Sequence, residues 1–137
     1  MHYLVKIRHS VEKEDGSLKA TNETYLVDAV SFSDAELIST QENQGKKDLQ
    51  IKAISPYKVS DIFRNECTED DGYIWFRAKV AYIAFDEKSQ KEKRINYFML
   101  VLSDSVATAN LLLKSKLGTL NDYEILDLVT TKIQGII

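Results

Sequence analysis

Reactive and structure-breaking residues are scarce in this sequence. Cys67 is the single cysteine, which excludes an intrachain disulfide and a multi-cysteine zinc site. Its neighbours, ECTEDDG, are acidic and lack the positive field that makes a thiol reactive, so an inert linker thiol is expected. Two histidines, His2 and His9, have no serine, cysteine or acid motif to serve, and a satisfied structural role is expected of His9. No Gly-rich phosphate loop, H-E-x-x-H, nucleophile elbow or C-x-x-C is present, so an enzyme is not expected. No cofactor is implied. No apolar run reaches membrane-spanning length, and the start, MHYLVKIRHS, has no signal-like apolar core. A cytoplasmic protein is expected. Nor is there an excess of either charge: Lys plus Arg number 18 against 21 Asp plus Glu, a net charge of −3. That balance argues against a strongly basic nucleic-acid protein but leaves room for a local patch.

What is present is a repeat. Laying Lys6 on Lys79 brings Tyr3 onto Phe76, Val5 onto Ala78, Ile7 onto Val80 and His9 onto Tyr82. The same shift sets Tyr25 on Phe98 and Val27 on Leu100. One residue further on, Ile51 falls on Ile125, Ile54 on Leu128, Val59 on Ile133 and Ile62 on Ile136. Two copies of one unit are expected in a single domain spanning 1–137: repeat one at 1–64, a linker at 65–72 and repeat two at 73–137.

Each copy reads strand, strand, helix, strand. HYLVKIRHSVE alternates with the period of a half-buried strand, Asp15-Gly16 signals a hairpin, and TNETYLVDAV returns. Ser33 and Glu36 have capping-box spacing, predicting a helix from about Ser33 to Asn43 that ends near Gly45. DLQIKAISPYKVSDIF reads as one long extended segment in which Pro56, the only proline, must lie at an edge or a bulge. In the second copy YIWFRAKVAYIAF and KRINYFMLVLSD flank a polar tip. A helix of about Ser105 to Leu117 stops at Gly118, and DYEILDLVTTKIQGII ends the chain. The expected class is α+β: six strands and two helices, related by a pseudo-twofold axis, with largely antiparallel sheet covered by helices on one face.

The acids Glu66, Glu69, Asp70 and Asp71 lack the alternating ligands of a calcium loop and read as a solvated linker, not a metal site. More suggestive is the outward face of the first strand of each copy. If Tyr3, Val5 and Ile7 point inward, Lys6 and Arg8 point out. In the second copy Trp75, Arg77 and Lys79 do so, and the neighbouring tip adds Lys88, Lys91, Lys93 and Arg94. Cations track phosphates, and an exposed aromatic ring stacks a base at about 1 to 3 kcal/mol. The expectation is therefore single-stranded DNA or RNA bound on this face, with Trp75, Tyr73 and Tyr57 stacking. Two alternatives stay open: the same face buried in a homodimer or against a protein partner, with Trp75 shielded, and sequestration of a small molecule in a pocket.

The run WFRAKVAYIAFDEKSQKEKRINYFMLV, followed by DYEILDLVTTKI, resembles an uncharacterised domain family of Bacteroidetes bacteria and their tailed phages. That resemblance implies a shared fold and a bacterial or phage-infected cell. It carries no established activity and no catalytic residues. In plan, duplicated strand-rich units with a helix are also similar to Whirly-type single-stranded DNA-binding proteins, although here the helix precedes the last strand of each unit.

Overall fold

A computed structural model describes residues 1–64, 72–118 and 122–137. The expected linker acids and Cys67 lie outside these residues. The chain is mixed α+β, with two helices and eight strands in two four-stranded sheets. It divides into two compact units. Unit 1 joins Met1–Lys58 to Lys132–Ile137, and unit 2 is Val59–Thr131. Each unit so drawn takes a strand from beyond its own repeat.

In unit 1, β1 (His2–Glu12) and β2 (Leu18–Asp28) form the expected hairpin. Gly16 takes φ +83°, and the Asp15 carboxylate accepts from the Ser17 backbone N–H at 2.9 Å. A side chain at Gly16 would strain this left-handed backbone. Helix α1 (Phe32–Glu42) starts earlier than Ser33 because Ser31 is its cap. The Ser31 hydroxyl accepts from Asp34 N at 3.1 Å, while the Asp34 carboxylate reaches back to Val30 N at 3.0 Å. One otherwise orphaned helix-end donor, Asp34 N, is thereby satisfied, along with the Val30 N–H just before the cap. Strand β3 (Lys47–Pro56) pairs antiparallel with β1 on the sheet edge, and Pro56 is its last residue, where a missing N–H costs least.

Unit 2 repeats the order. β5 (Ile74–Asp86) pairs with β6 (Lys91–Ser103), and β7 (Tyr123–Thr130) lies on the other side of β5. Helix α2 (Val106–Leu117) is capped by Ser105, whose hydroxyl accepts from Thr108 N at 3.2 Å, and stops at Gly118 with φ +79°.

The strand count is eight, not six, because each long extended segment breaks in two. After β3 the chain forms β4 (Asp61–Phe63), parallel to β6. After β7 it forms β8 (Ile133–Ile136), parallel to β2. The physical reason is edge satisfaction. Order β3-β1-β2 alone would leave the outer edge of β2 unpaired, and β8 covers it; β4 does the same for β6.

Register also corrects the repeat. Lys6 pairs with Thr24 where Lys79 pairs with Phe98, and a bulge follows both Lys6 and Lys79. Leu26 meets Ile136 where Leu100 meets Ile62. The extra residue therefore falls in the second hairpin connection. Tyr25 corresponds to Met99 and Val27 to Val101, one place beyond the expected match. Side-chain alternation makes that one place decisive, since it exchanges the two faces of β6.

Each unit has its own core. Tyr3, Val5, Ile7, Val27 and Ala29 pack under Ala35 of α1, and Phe76, Ala78, Val80, Met99 and Val101 pack under Ala109 and Leu113 of α2. Alanine at the point of helix contact lets backbone approach sheet closely. Each large side chain so buried contributes about 1.5 to 3 kcal/mol.

Candidate nucleic-acid interface

Alternation along β5 does put Trp75, Arg77 and Lys79 on one face. Their cross-strand partners on β6 are Leu102, Leu100 and Phe98. Trp75, Leu100 and Leu102 are all 0% exposed. The Arg64 guanidinium lies 5.3 Å from the centre of the Trp75 ring. Thr131 holds the Trp75 carbonyl through its hydroxyl, at 2.8 Å, and its N–H, at 3.0 Å. An open stacking platform centred on Trp75 is thus overturned: the ring is core. The cause lies in FMLVL, residues 98–102, which is apolar at both parities and makes both faces of β6 apolar.

The remaining expected residues separate. Arg77 is half-buried with its guanidinium 5.3 Å from the Phe98 ring centre, and its Nε is buried without a hydrogen-bond partner among the described residues. It is held in the apolar layer, not offered to phosphate. Lys79, Tyr73 and Tyr57 are half-buried. Tyr57 N donates to the His2 carbonyl at 2.8 Å, fixing that segment to the end of β1. Lys6, Arg8 and Tyr57 belong to unit 1, and Arg77, Lys79, Tyr73 and Trp75 to unit 2.

One group does cluster in the open. β7 borders β5 only from Phe76 to Tyr82, and β4 borders β6 only from Met99 to Val101. Beyond these points β5 and β6 continue as a two-stranded ribbon, with no further strand beside it among the described residues. From Tyr82 to Asp86 it extends about 13 Å. Every side chain from 87 to 97 is exposed. Lys88, Lys91, Lys93 and Arg94 lie here, against Asp86, Glu87 and Glu92, and Arg94 reaches Glu124 at 3.4 Å in an exposed ion pair. Phe85, 61% exposed, supplies the aromatic ring that the buried Trp75 does not. The turn is held by the Asp86 carboxylate, which accepts from Lys88 N at 3.0 Å, with Gln90 at φ +58°. The distance along β5 from Trp75 to this end is about 36 Å, so the two halves of the expected site never formed one surface.

Two further clusters escaped sequence reasoning, because both depend on cross-strand pairing. In unit 1 the buried His9 Nε2 meets the Glu23 carboxylate, which also accepts from the Tyr25 hydroxyl. Lys46 Nζ approaches Glu23 at 3.4 Å, Tyr25 Oη at 3.2 Å and Asn43 Oδ1 at 2.7 Å. Asn43 Nδ2 in turn donates to the Ser39 carbonyl at 2.6 Å. Burial tends to raise the Glu23 pKa, but the bonds from Tyr25 and His9 and the Lys46 charge outweigh it and hold it below the usual glutamate value. The Tyr25 pKa is pushed well up, by burial first and then by the Glu23 carboxylate. A cleft of about 480 Å³ lined by His9, Glu12, Lys46 and Lys47 opens beside this network.

In unit 2, Tyr82 and Tyr97 meet edge to face, ring centres 5.3 Å apart at 86°. Tyr123 stands behind Tyr82 at 6.4 Å. With Ser60, Asp61 and Met99, the first two rings line a pocket of about 320 Å³. The Tyr82 pKa is raised, by burial first and then by the nearby Asp61 carboxylate.

The chain matches, over residues 1–137, the family described as Domain of unknown function (DUF4494), and it belongs to that family. Comparison with curated proteins and with solved structures returned no match. Among the described residues no helix is long and apolar enough to cross a membrane.

Proposed function

We propose that the protein is a non-enzymatic accessory that binds single-stranded nucleic acid through the β5–β6 ribbon, in the cytoplasm, in phage or mobile-element replication. The observation that carries this is the ribbon itself: a strand pair extending past its own sheet, with exposed Lys88, Lys91, Lys93 and Arg94 and an exposed Phe85. Flexible cations on an arm can follow a phosphate backbone, and a solvent-facing ring can stack a base of any identity. Four cations against three acids make the field modest, so affinity is weak and strongly salt-dependent. The likeness in plan to Whirly-type proteins expected from the sequence suits the role, but in this proposal contact falls on an arm instead of a sheet face.

The test is fluorescence anisotropy of a labelled single-stranded oligonucleotide at 50 and 200 mM salt, with wild type and the variant K88A/K91A/K93A/R94A. Binding is expected to weaken by roughly tenfold or more between the salts, and by a comparable factor in the variant. Equal affinity of variant and wild type would remove the ribbon as the contact.

A second proposal rests on the ribbon's unpaired edges. Backbone groups on the outer sides of Ala84–Asp86 and Lys91–Tyr97 can add a strand from a protein partner or a second copy. Concentration-dependent mass with no oligonucleotide binding would favour this assembly role.

A further inference from the structure

The pocket on unit 2 has a chemistry unlike that of the ribbon. Its walls are the Tyr82 and Tyr97 rings, nearly perpendicular. Met99, 2% exposed, supplies a thioether, and Ser60 with the exposed Asp61 stands across from the rings. Ser60 is fixed by its N–H, which donates to the Phe98 carbonyl at 2.8 Å, while its one hydroxyl proton is shared between that carbonyl and the Asp61 carboxylate, each at 3.2 Å. The Asp61 carboxylate accepts only the Ser60 hydroxyl, at 3.2 Å, among the described residues. Neither tyrosine hydroxyl has a hydrogen-bond partner there. Among the described residues no lysine, arginine or histidine lines the pocket.

Electron-rich ring faces, a polarisable sulfur and a carboxylate with no cationic partner among the described residues all favour positive charge, and none of them asks the ligand for acceptors. A bare metal ion would find one carboxylate and too few oxygens. A primary ammonium would lose hydration that two ring faces do not replace. An alkylated ammonium fits: its charge is spread over methyl groups that pack on rings, and it makes no demand for directional hydrogen bonds. We propose that the Tyr82–Tyr97–Asp61–Met99 pocket binds a quaternary ammonium group. It uses none of the ribbon's contact residues and stands or falls independently of nucleic-acid binding.

The chain has two methionines, Met1 and Met99, so [¹³C-methyl]methionine NMR gives one reporter inside the pocket and one outside it. The probe is choline, with 3,3-dimethylbutanol as the neutral isostere and a trimethyllysine peptide to separate a free small molecule from a modified side chain. Choline or the peptide is expected to shift the Met99 methyl resonance and leave Met1 unmoved. The tighter of the two identifies the source. The neutral isostere should bind at least about fivefold more weakly. Tyr97→Phe should retain binding, while Tyr97→Leu and Asp61→Asn should each weaken it about fivefold; position 97 is exposed enough for these variants to fold. Equal binding of cation and isostere, or no Met99 shift with either cation, would overturn the assignment.

Discussion

His9, Glu23 and Tyr25 in unit 1 occupy the register positions that Tyr82, Tyr97 and Met99 occupy in unit 2. The backbone frame is alike, with the same bulge, the same hairpin order and a capped helix over the same face. The side chains differ in whether they finish their own chemistry. In unit 1 one carboxylate, 13% exposed, is shared by an imidazole, a phenol and an ammonium, and every strong donor has found an acceptor. In unit 2 the rings meet edge to face and line a cavity with Asp61, and their hydroxyls have no hydrogen-bond partner among the described residues. A closed network stabilises, whereas an open one of the same shape is free to bind. Fold equivalence therefore does not carry function from one unit to the other; the residues at the position decide it.

The largest expected effect separates Trp75 from Phe85, which share one face of β5. Trp75→Ala should cost about 3 to 5 kcal/mol through loss of buried contacts, whereas Phe85→Ala should change stability by under about 0.5 kcal/mol. Urea unfolding of both variants measures this, and similar costs would erase the contrast. Next is the matched pair Glu23→Leu and Tyr97→Leu. The first strands three donors around a missing acceptor and should cost about 3 kcal/mol. The second removes a ring that is 37% exposed and should cost about 1 kcal/mol or less.

A smaller effect is set by acidity. Folded Glu23 binds its proton less readily than the unfolded chain does, so its contribution is present above about 4.5, the ordinary glutamate value, and is lost as pH falls through the lower folded value. Amide exchange should then show β1 and β2 opening before β5 and β6. On the alkaline side the raised Tyr25 and Tyr82 act alike: their stability is complete below pH 10 and is lost as pH climbs toward the folded values. Both units are expected to loosen there, so only the acid limb distinguishes them. Smallest of all, the quadruple ribbon variant should leave the unfolding midpoint nearly unchanged while it weakens oligonucleotide binding by roughly tenfold or more.

Much of the fold was legible. The alternation in HYLVKIRHSVE, the Asp15-Gly16 turn and the Gly118 stop are local signals, and they sit where local physics places them. The breaks into β4 and β8 were not legible, because KVSDIF and TKIQGII continue an extended pattern and nothing local states which sheet edge they will meet. The burial of Trp75 was not legible for a different reason. Residues 98–102 are apolar at every position, so β6 could be laid with either face inward. Only one of the two parities leaves Trp75 facing solvent. Lys88, Lys91, Lys93 and Arg94 were found because a charged hairpin tip is exposed whatever its register. The Tyr82–Tyr97 pocket and the His9–Glu23 network were not, since residues far apart in sequence become neighbours only through cross-strand pairing.

The most direct measurement is the emission of Trp75, the only tryptophan, recorded while a labelled single-stranded oligonucleotide is bound and followed by anisotropy. The proposal predicts blue-shifted emission that resists acrylamide and stays constant as the anisotropy rises, since the ring is core and the proposed contact is at the ribbon. Solvent-like emission, quenched in step with binding, would contradict it and return the stacking surface to the face of β5.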